Sequence, residues 1–266
     1  RVATSVSPQR MLAAALRRPE TFVAVVGASR GIGLALVQGV LERHHAQILA
    51  TCRKPDEAKA LNDLAGQWPG RVHPIACDVT DIDSVKGMAE RAKALHGGQG
   101  LNMLVNVAGI LHDHSRHITP EKNLAAVKPE NFARVMAINA LGPVLTTQAL
   151  QSQLNRGAVV GNVSARVGSI SDNRSGGWWS YRMSKAALNM ATRNSALELK
   201  KKDIIAVSLH PGTVDTQLSE PFQRTVPEGK LFTSAFTANA FLDIMEGLTS
   251  KESGRFFDYA GKIIEF

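Results

Sequence analysis

The 266-residue chain reads as one α/β domain, a doubly wound and mostly seven-stranded parallel sheet of Rossmann type with helices on both faces. Three observations predict it. Short apolar runs alternate with helix-period segments from Thr21 onward, the rhythm of repeated βα units. Most of those runs are continuously apolar rather than alternating, as strands buried on both faces must be. The first run also turns through a glycine cluster directly into a helix, as a dinucleotide-binding sheet begins.

The expected strands are Phe22–Val26, Gln47–Thr51, Val72–Cys77, Leu101–Asn106, Gly157–Val163, Ile204–Leu209 and Arg255–Asp258. Between them, Ile32–His44 follows the glycine turn, Asp56–Ala65 follows Pro55, and Ile82–Leu95 is capped by Asp81. Pro129–Gln153 opens with proline in its first turn, and Trp179–Lys200 and Ser234–Thr249 complete the helices. Two connections are long, His112–Lys128 and Val214–Phe232. Both leave the carboxyl ends of strands, where such folds place substrate contacts and lids.

Residues 1–20 stand apart as an extension. They carry Arg1, Arg10, Arg17, Arg18 and several Ser and Ala, with no acid before Glu20. That composition fits either the remnant of a transit peptide or a short helix around Met11–Leu16. The longest apolar runs, such as Phe22–Gly27, are strand-length, so no membrane partner is expected. A soluble protein of the cytoplasm, or of an organelle stroma or matrix, follows. Lys and Arg outnumber Asp and Glu by 31 to 23, a net charge of +8. The cations are not clustered and aromatics are scarce, which argues against nucleic acid; a polyphosphate ligand would account for a few of them. Cys52 and Cys77 close apolar runs without a CxxC pair and read as buried thiols. The cluster His112, His114 and His117 lacks Cys or a helical His pair beside it, so no metal site is expected.

The turn Gly27-Ala-Ser-Arg-Gly31-Ile-Gly33 carries the first chemistry. Gly27 permits the tight turn, Gly31 lets backbone amides approach a phosphate, and Gly33 lets the helix pack closely. An NAD site needs an acid at the end of the second strand for the ribose 2′-hydroxyl. Here that strand ends Thr51-Cys-Arg53-Lys54, with no acid between Glu42 and Asp56. Arg53 and Arg30 suit a 2′-phosphate instead, so NADP(H) is the expected cofactor.

With these residues in order, Gly27-x-x-x-Gly31-Ile-Gly33, Asn106-Val-Ala-Gly109, Asn139, Ser164, Tyr181-Arg-Met-Ser-Lys185 and Pro211-Gly-Thr-Val214, the chain resembles the short-chain dehydrogenase/reductase family. The match covers about Thr21 to the C-terminus. The stretch from Asp172 to Met190 is similar more narrowly to the C-factor and Sniffer carbonyl-reductase branch. The resemblance implies catalysis by Asn139, Ser164, Tyr181 and Lys185. It places cofactor contacts on Gly27, Ser29, Arg30, Gly31, Ile32 and Gly33, on Arg53, Asp78 and Val79, and on Asn106, Ala108 and Gly109. Pro211, Gly212, Val214 and Thr216 follow beside the nicotinamide, and Lys185 holds its ribose. It gives Asn139 the support of a water relay to Lys185.

Tyr181 and Lys185 are four apart on one helix face. A neighbouring ammonium is expected to lower the phenol's pKa and make Tyr181 a usable acid for a carbonyl oxygen, with Ser164 bonding the same oxygen. Val26 and Val107 stand where the family usually has Thr and Asn, and both changes remove side-chain bonds that would brace the cofactor loop. The segment between Ser164 and Tyr181 is long and carries Asp172, Asn173, Trp178 and Trp179, suited to walling the substrate pocket. The expected function is NADPH-dependent reduction of a small carbonyl compound (ketone, aldehyde or quinone). The alternative is an NADP(H)-binding signalling protein of C-factor type. The family pairs its two long helices across a two-fold axis, which implies a homodimer or homotetramer.

Overall fold

The computed structural model describes residues 11–266. Its strands are β1 (Phe22–Val26), β2 (Gln47–Cys52), β3 (Val72–Ala76), β4 (Leu101–Asn106), β5 (Leu154–Val163), β6 (Ile205–His210), β7 (Thr213–Val214), β8 (Leu231–Phe232) and β9 (Phe256–Asp258). Seven of them form one parallel sheet in the order β3-β2-β1-β4-β5-β6-β9. The order reverses between β1 and β4, and the crevice beyond their carboxyl ends is where such sheets bind ligands. The helices are α1 (Met11–Leu16), α2 (Gly31–Arg43), α3 (Lys59–Gln67), α4 (Ile82–His96), α5 (Pro129–Met136), α6 (Gly142–Leu150), α7 (Trp179–Glu198) and α8 (Ser234–Gly247).

Successive strand residues point to opposite faces, and β1 divides accordingly. Val23 and Val25 pack with α2 and α8, while Phe22, Ala24 and Val26 pack with residues of α4, α6 and α7. α1 joins the first layer through buried Leu12 and Leu16, and Thr21 Oγ1 donates to the Ala15 carbonyl at 2.6 Å. The described part of the expected extension therefore packs on the domain; residues 1–10 lie outside the described residues. Among the described residues no helix is long and apolar enough to cross a membrane.

Three expectations are corrected. β5 starts at Leu154, because its pairing with β4 jumps from Leu101–Leu154 to Met103–Val159, around Gly157 at φ +76°. The helix expected over Asp56–Ala65 begins later, after a 3₁₀ turn at Pro55–Glu57. The helix expected over Pro129–Gln153 is not continuous. It divides into α5 and α6 around one π-helical turn, Ala137–Leu141, where the Gly142 N–H reaches the Ala137 carbonyl five residues back. Pro143 lacks the N–H that would bond the carbonyl four residues back, which is that of Asn139. Such π turns gather at functional sites.

Candidate active site

At the mouth of the β1–β4 crevice the glycine loop and the β4 loop press together. A Cβ on Gly27 would lie 2.7 Å from the Ala108 nitrogen, and one on Gly33 would lie 2.0 Å from the Gly27 carbonyl. Gly27 and Gly31 take φ of +94° and +54°, open to glycine. Among the described residues the loop is braced by backbone bonds. Gly27 and Ala28 donate to the Thr51 carbonyl at 3.0 and 2.8 Å, and Val107 and Ala108 both donate to the Val26 carbonyl at 2.9 Å. These backbone bonds brace the loop in the absence of the hydroxyl and amide that Val26 and Val107 lack.

This crevice fits a phosphorylated dinucleotide. Arg30 opens α2 without a side-chain cap, leaving the first-turn N–H groups, from Gly31, Ile32 and Gly33, to face an anion; Ser29 lies half-buried in the same loop. Arg30 and Arg53 are exposed and, among the described residues, neither pairs with an acid, whereas Lys54 is held by Glu57 at 2.7 Å. Burial raises the Asp78 carboxyl, but bonds from Thr80 and the charges of Arg134 and Arg53 hold it below the usual range. Arg53 thus lies within electrostatic reach of Asp78. The Val79 side chain is buried and wedged against α6, 2.8 Å from where a Gly142 Cβ would stand. Thr216 leans over the glycine loop, its Cγ2 3.2 Å from where a Gly31 Cβ would stand. Gly212, at φ +75°, lies under the rings of Phe232 and Tyr259. The Pro211 carbonyl accepts from Thr237 at 3.4 Å, and Val214 is buried with its carbonyl bonded to Ser219 Oγ.

Asn106 turns its side chain inward. Its side chain donates to Asn162 at 2.8 Å and accepts from Thr146 at 2.7 Å, so any contact with a cofactor falls to its backbone.

Tyr181 and Lys185 lie on the inner face of α7, 8% and 4% exposed. Lys185 Nζ stands 5.7 Å from the Tyr181 ring centre and donates to the Val163 carbonyl at 2.8 Å. It also lies 3.5 Å from where a Gly109 Cβ would be, with Asn139 Oδ1 at 3.3 Å from the same point. The ammonium therefore sits where β4, the π turn and α7 converge. Burial pushes Lys185 down to about 8. Burial also pushes the Tyr181 phenol above its ordinary value, which overturns the expectation of a phenol brought down by its neighbour. The cause is the desolvation of the buried ring; Lys185, itself brought down by burial, is already neutral where the phenol titrates.

Asn139 is fully buried. Its amide accepts from the Ile110 N–H and donates to the Ile110 carbonyl, both at 2.8 Å, which clamps the β4 loop to the π turn. Its side chain is committed to that clamp; its backbone carbonyl is the one Pro143 leaves without a regular helical partner. Ser164 Oγ donates to Asn189 Oδ1 at 2.7 Å. Sequence reasoning passed over Asn189, which looks like helix filler, and also His210. Burial brings His210 down to about 4, with the nearby Arg166 charge adding to the drop. Its Nδ1 accepts from the Arg166 N–H at 3.2 Å, bracing the turn after Ser164.

Around the phenol lies an apolar cluster of Leu111, Ala165, Val167, Trp178, Leu218 and Phe222. Trp178 meets Tyr181 edge-on at 6.2 Å and Phe222 at 4.9 Å, so the 215–232 connection packs against the cluster around the phenol. The β7–β8 pair pins its base, and His112 Nε2 donates to the Gln217 carbonyl at 3.0 Å. Trp178 takes φ +50°, a strained conformation for a bulky residue. Glu121 holds it there: its carbonyl accepts from Trp178 N–H at 2.6 Å, and its carboxylate accepts from Ser180 N–H at 3.1 Å at the start of α7. Asp172 instead pairs with Arg166 at 3.2 Å, and Trp179 is partly exposed away from the cluster.

The fold, the glycine loop and the Tyr181–Lys185 pair define a nicotinamide-type oxidoreductase sheet, and the short chain dehydrogenase family model matches residues 21–227. The chain belongs to that family. It is 41% identical over 140 residues to the C-signal of Myxococcus xanthus, covering 52% of this chain and 80% of that protein. Its structure is similar to carbonyl reductase Sniffer of D. melanogaster, with a TM-score of 0.82 at 26% identity over 93% of this chain and 99% of that one. It is also similar to the NADPH-bound carbonyl reductase from chicken fatty liver, with a TM-score of 0.81 at 30% identity and the same coverage.

Proposed function

We propose that the protein reduces a small carbonyl compound with NADPH, Tyr181 giving the proton. The observation that carries this reading is the buried Tyr181–Lys185 pair, set beside the Gly109 backbone and against a cluster of apolar side chains. When bound, NADPH supplies the hydride. Arg30 and Arg53 hold its 2′-phosphate, the α2 N-terminus its pyrophosphate, and Asp78 with the Val79 backbone its adenine. Ala108, Gly109, Pro211, Gly212, Val214 and Thr216 line the remainder. Tyr181 is protonated at neutral pH, as an ordinary phenol is, and yields its proton when charge develops on a bonded carbonyl oxygen. Lys185 holds positive charge beside the developing phenolate and replaces the proton from solvent through the region of the Asn139 carbonyl.

The test is NADPH oxidation against quinones, α-dicarbonyls and aldehydes, with Tyr181→Phe as control. General-acid loss lowers turnover by ~10²–10⁴, while NADPH affinity stays unchanged. A Tyr181→Phe protein that turns over near the normal rate defeats the mechanism. The likeness to C-signal favours a second reading, an NADP(H)-binding signalling protein. Tight NADPH binding with no turnover on any carbonyl supports it. For assembly, exposed Met183, Met190 and Leu197 on α7, with Leu141 and Val144 on the π turn and α6, form an apolar face suited to a second copy of the chain.

A further inference from the structure

The helix that carries Tyr181 and Lys185 does not cap itself. α7 begins at Trp179, its N-cap Trp178 makes no side-chain cap bond, and its first turn holds no acid. The open N–H groups at a helix start need partners from elsewhere, and helix ends without them fray. Tyr181 is the third residue of α7, inside that first turn, so its phenol is only as fixed as the turn is.

Glu121, far back in the 112–128 connection, supplies the missing partner. It is 6% exposed. Its Oε2 accepts from the Ser180 N–H at 3.1 Å, and its Oε1 accepts from the Ser180 hydroxyl. Its carbonyl accepts from the Trp178 N–H at 2.6 Å. The chain is bent to make this approach: Gly176, Gly177 and Trp178 take φ of +61°, +64° and +50° in succession. A Cβ on Gly177 would stand 3.5 Å from the Glu121 carbonyl oxygen. The two glycines accept this backbone readily, whereas the strain at Trp178 has to be offset by the bonds around it. A carboxylate at a helix N-terminus is also favoured by the helix dipole.

We infer that Glu121 is a positioning residue for Tyr181: it caps α7 from another loop and holds the first turn, and so the phenol, in one place. The inference rests on the reductase reading. Glu121 acts through Ser180, the residue before Tyr181, and through Trp178, whose ring lies edge-on to the phenol ring.

Glu121→Ala removes both carboxylate contacts. Glu121→Gln keeps both, since its carbonyl can accept from the Ser180 N–H while its amide donates to the Ser180 hydroxyl. Positioning predicts that the Ala variant loses roughly tenfold or more in kcat, counted per NADPH-binding site, because a small misplacement of a reacting group slows the chemistry steeply. NADPH affinity stays within about twofold, and the Gln variant stays within about threefold of the parent in kcat. A merely structural role predicts fewer NADPH-binding molecules with an unchanged rate per site, and that result overturns the inference. So does a Gln variant as slow as the Ala variant. Amide hydrogen exchange over residues 176–184 is the second readout. It quickens in the Ala variant and not in the Gln variant; equal exchange in all three proteins overturns the cap. If the Ala protein does not fold, judged by NADPH binding, Ser180→Ala decides, since it removes the hydroxyl contact and leaves the N–H one. A fall of a few-fold in rate per site sustains the inference, and a rate equal to the parent's overturns it. If the parent reduces no carbonyl, the reductase reading fails by itself, and the exchange measurement alone judges the cap.

Discussion

Lys185 is expected to be a stability defect as well as a functional group, and replacing it with Met separates the two. Its ammonium is buried and its pKa falls from 10.5 to about 8. At ~1.4 kcal/mol per pH unit that lowering stands for about 3 kcal/mol lost from the fold at neutral pH. Lys185→Met removes the penalty but leaves the Val163 carbonyl, bonded to Nζ at 2.8 Å, without its donor, which costs about 1–2 kcal/mol. The net expectation is a gain of about 1–2 kcal/mol at pH 7, or roughly 2–5 °C in Tm for a chain of this size, together with loss of turnover.

The pH dependence gives the sharper test. Because the folded-state pKa lies below the unfolded one, the unfolded chain holds more protons between pH 8 and 10.5, and the parent gains stability as pH rises through that window. The penalty is complete below pH 8 and gone above 10.5. The Met variant should therefore be more stable at pH 7, converge with the parent as pH rises, and fall below it near pH 10, where neutral Lys185 keeps its bond to Val163. Urea unfolding of both proteins without cofactor, followed from pH 7 to 10, measures this. A Met variant less stable at pH 7, or a gap that does not change with pH, refutes the reasoning.

Arg53→Ala should weaken NADPH roughly ten- to a hundredfold and NADH hardly at all, as loss of a charge-assisted contact does; equal binding of both cofactors by the parent protein, measured by fluorescence titration, contradicts the 2′-phosphate assignment. Gly168→Ala puts a methyl 2.6 Å from Lys185 Cβ and should cost about 1–3 kcal/mol in stability with a matching fall in kcat, read by unfolding and initial rates. Met190→Glu with Leu197→Glu should convert a dimer to a monomer by light scattering; a parent already monomeric at micromolar concentration removes the assembly proposal.

The sheet was legible because its strands are unbroken apolar runs: β1 and β4 fall at their expected residues, and the others within a few. The breaks that matter were not. A π turn adds one residue to a helical circuit, and the only trace of it in the sequence is Pro143, which reads equally well as an ordinary first-turn proline. β7 and β8 span two residues each, below what any pattern of alternation can reveal. The sequence shows that Lys185 stands one turn from Tyr181 but not how little water surrounds the ring, so the direction of the phenol shift came out inverted. Asn106 carries its family position and yet turns inward, because Thr146 and Asn162 are waiting in the core.

α7 concentrates the difficulty. A helix against a sheet ordinarily turns its apolar stripe inward, yet the buried face of α7 includes Ser180, Tyr181, Ser184, Lys185, Asn189 and Thr192, while Met183, Met190 and Leu197 face out. Apart from the Tyr181 hydroxyl, these inward polar side chains are engaged. Lys185 bonds the Val163 carbonyl, Asn189 accepts from Ser164, and Thr192 accepts from Asn162 at 2.9 Å and from Ser208 at 3.0 Å. Residues 185, 189 and 192 follow the spacing of one helical face, so the helix is bonded to β5 and β6 along two turns. Apolar packing would tolerate a small slide of the helix, since it has no direction. Directed bonds do not, because a slipped register would leave several buried polar groups unpaired at about 1–3 kcal/mol each. The inverted helix therefore holds Tyr181 and Lys185 in fixed relation to the strand ends, and the outward apolar face is the counterpart of that arrangement.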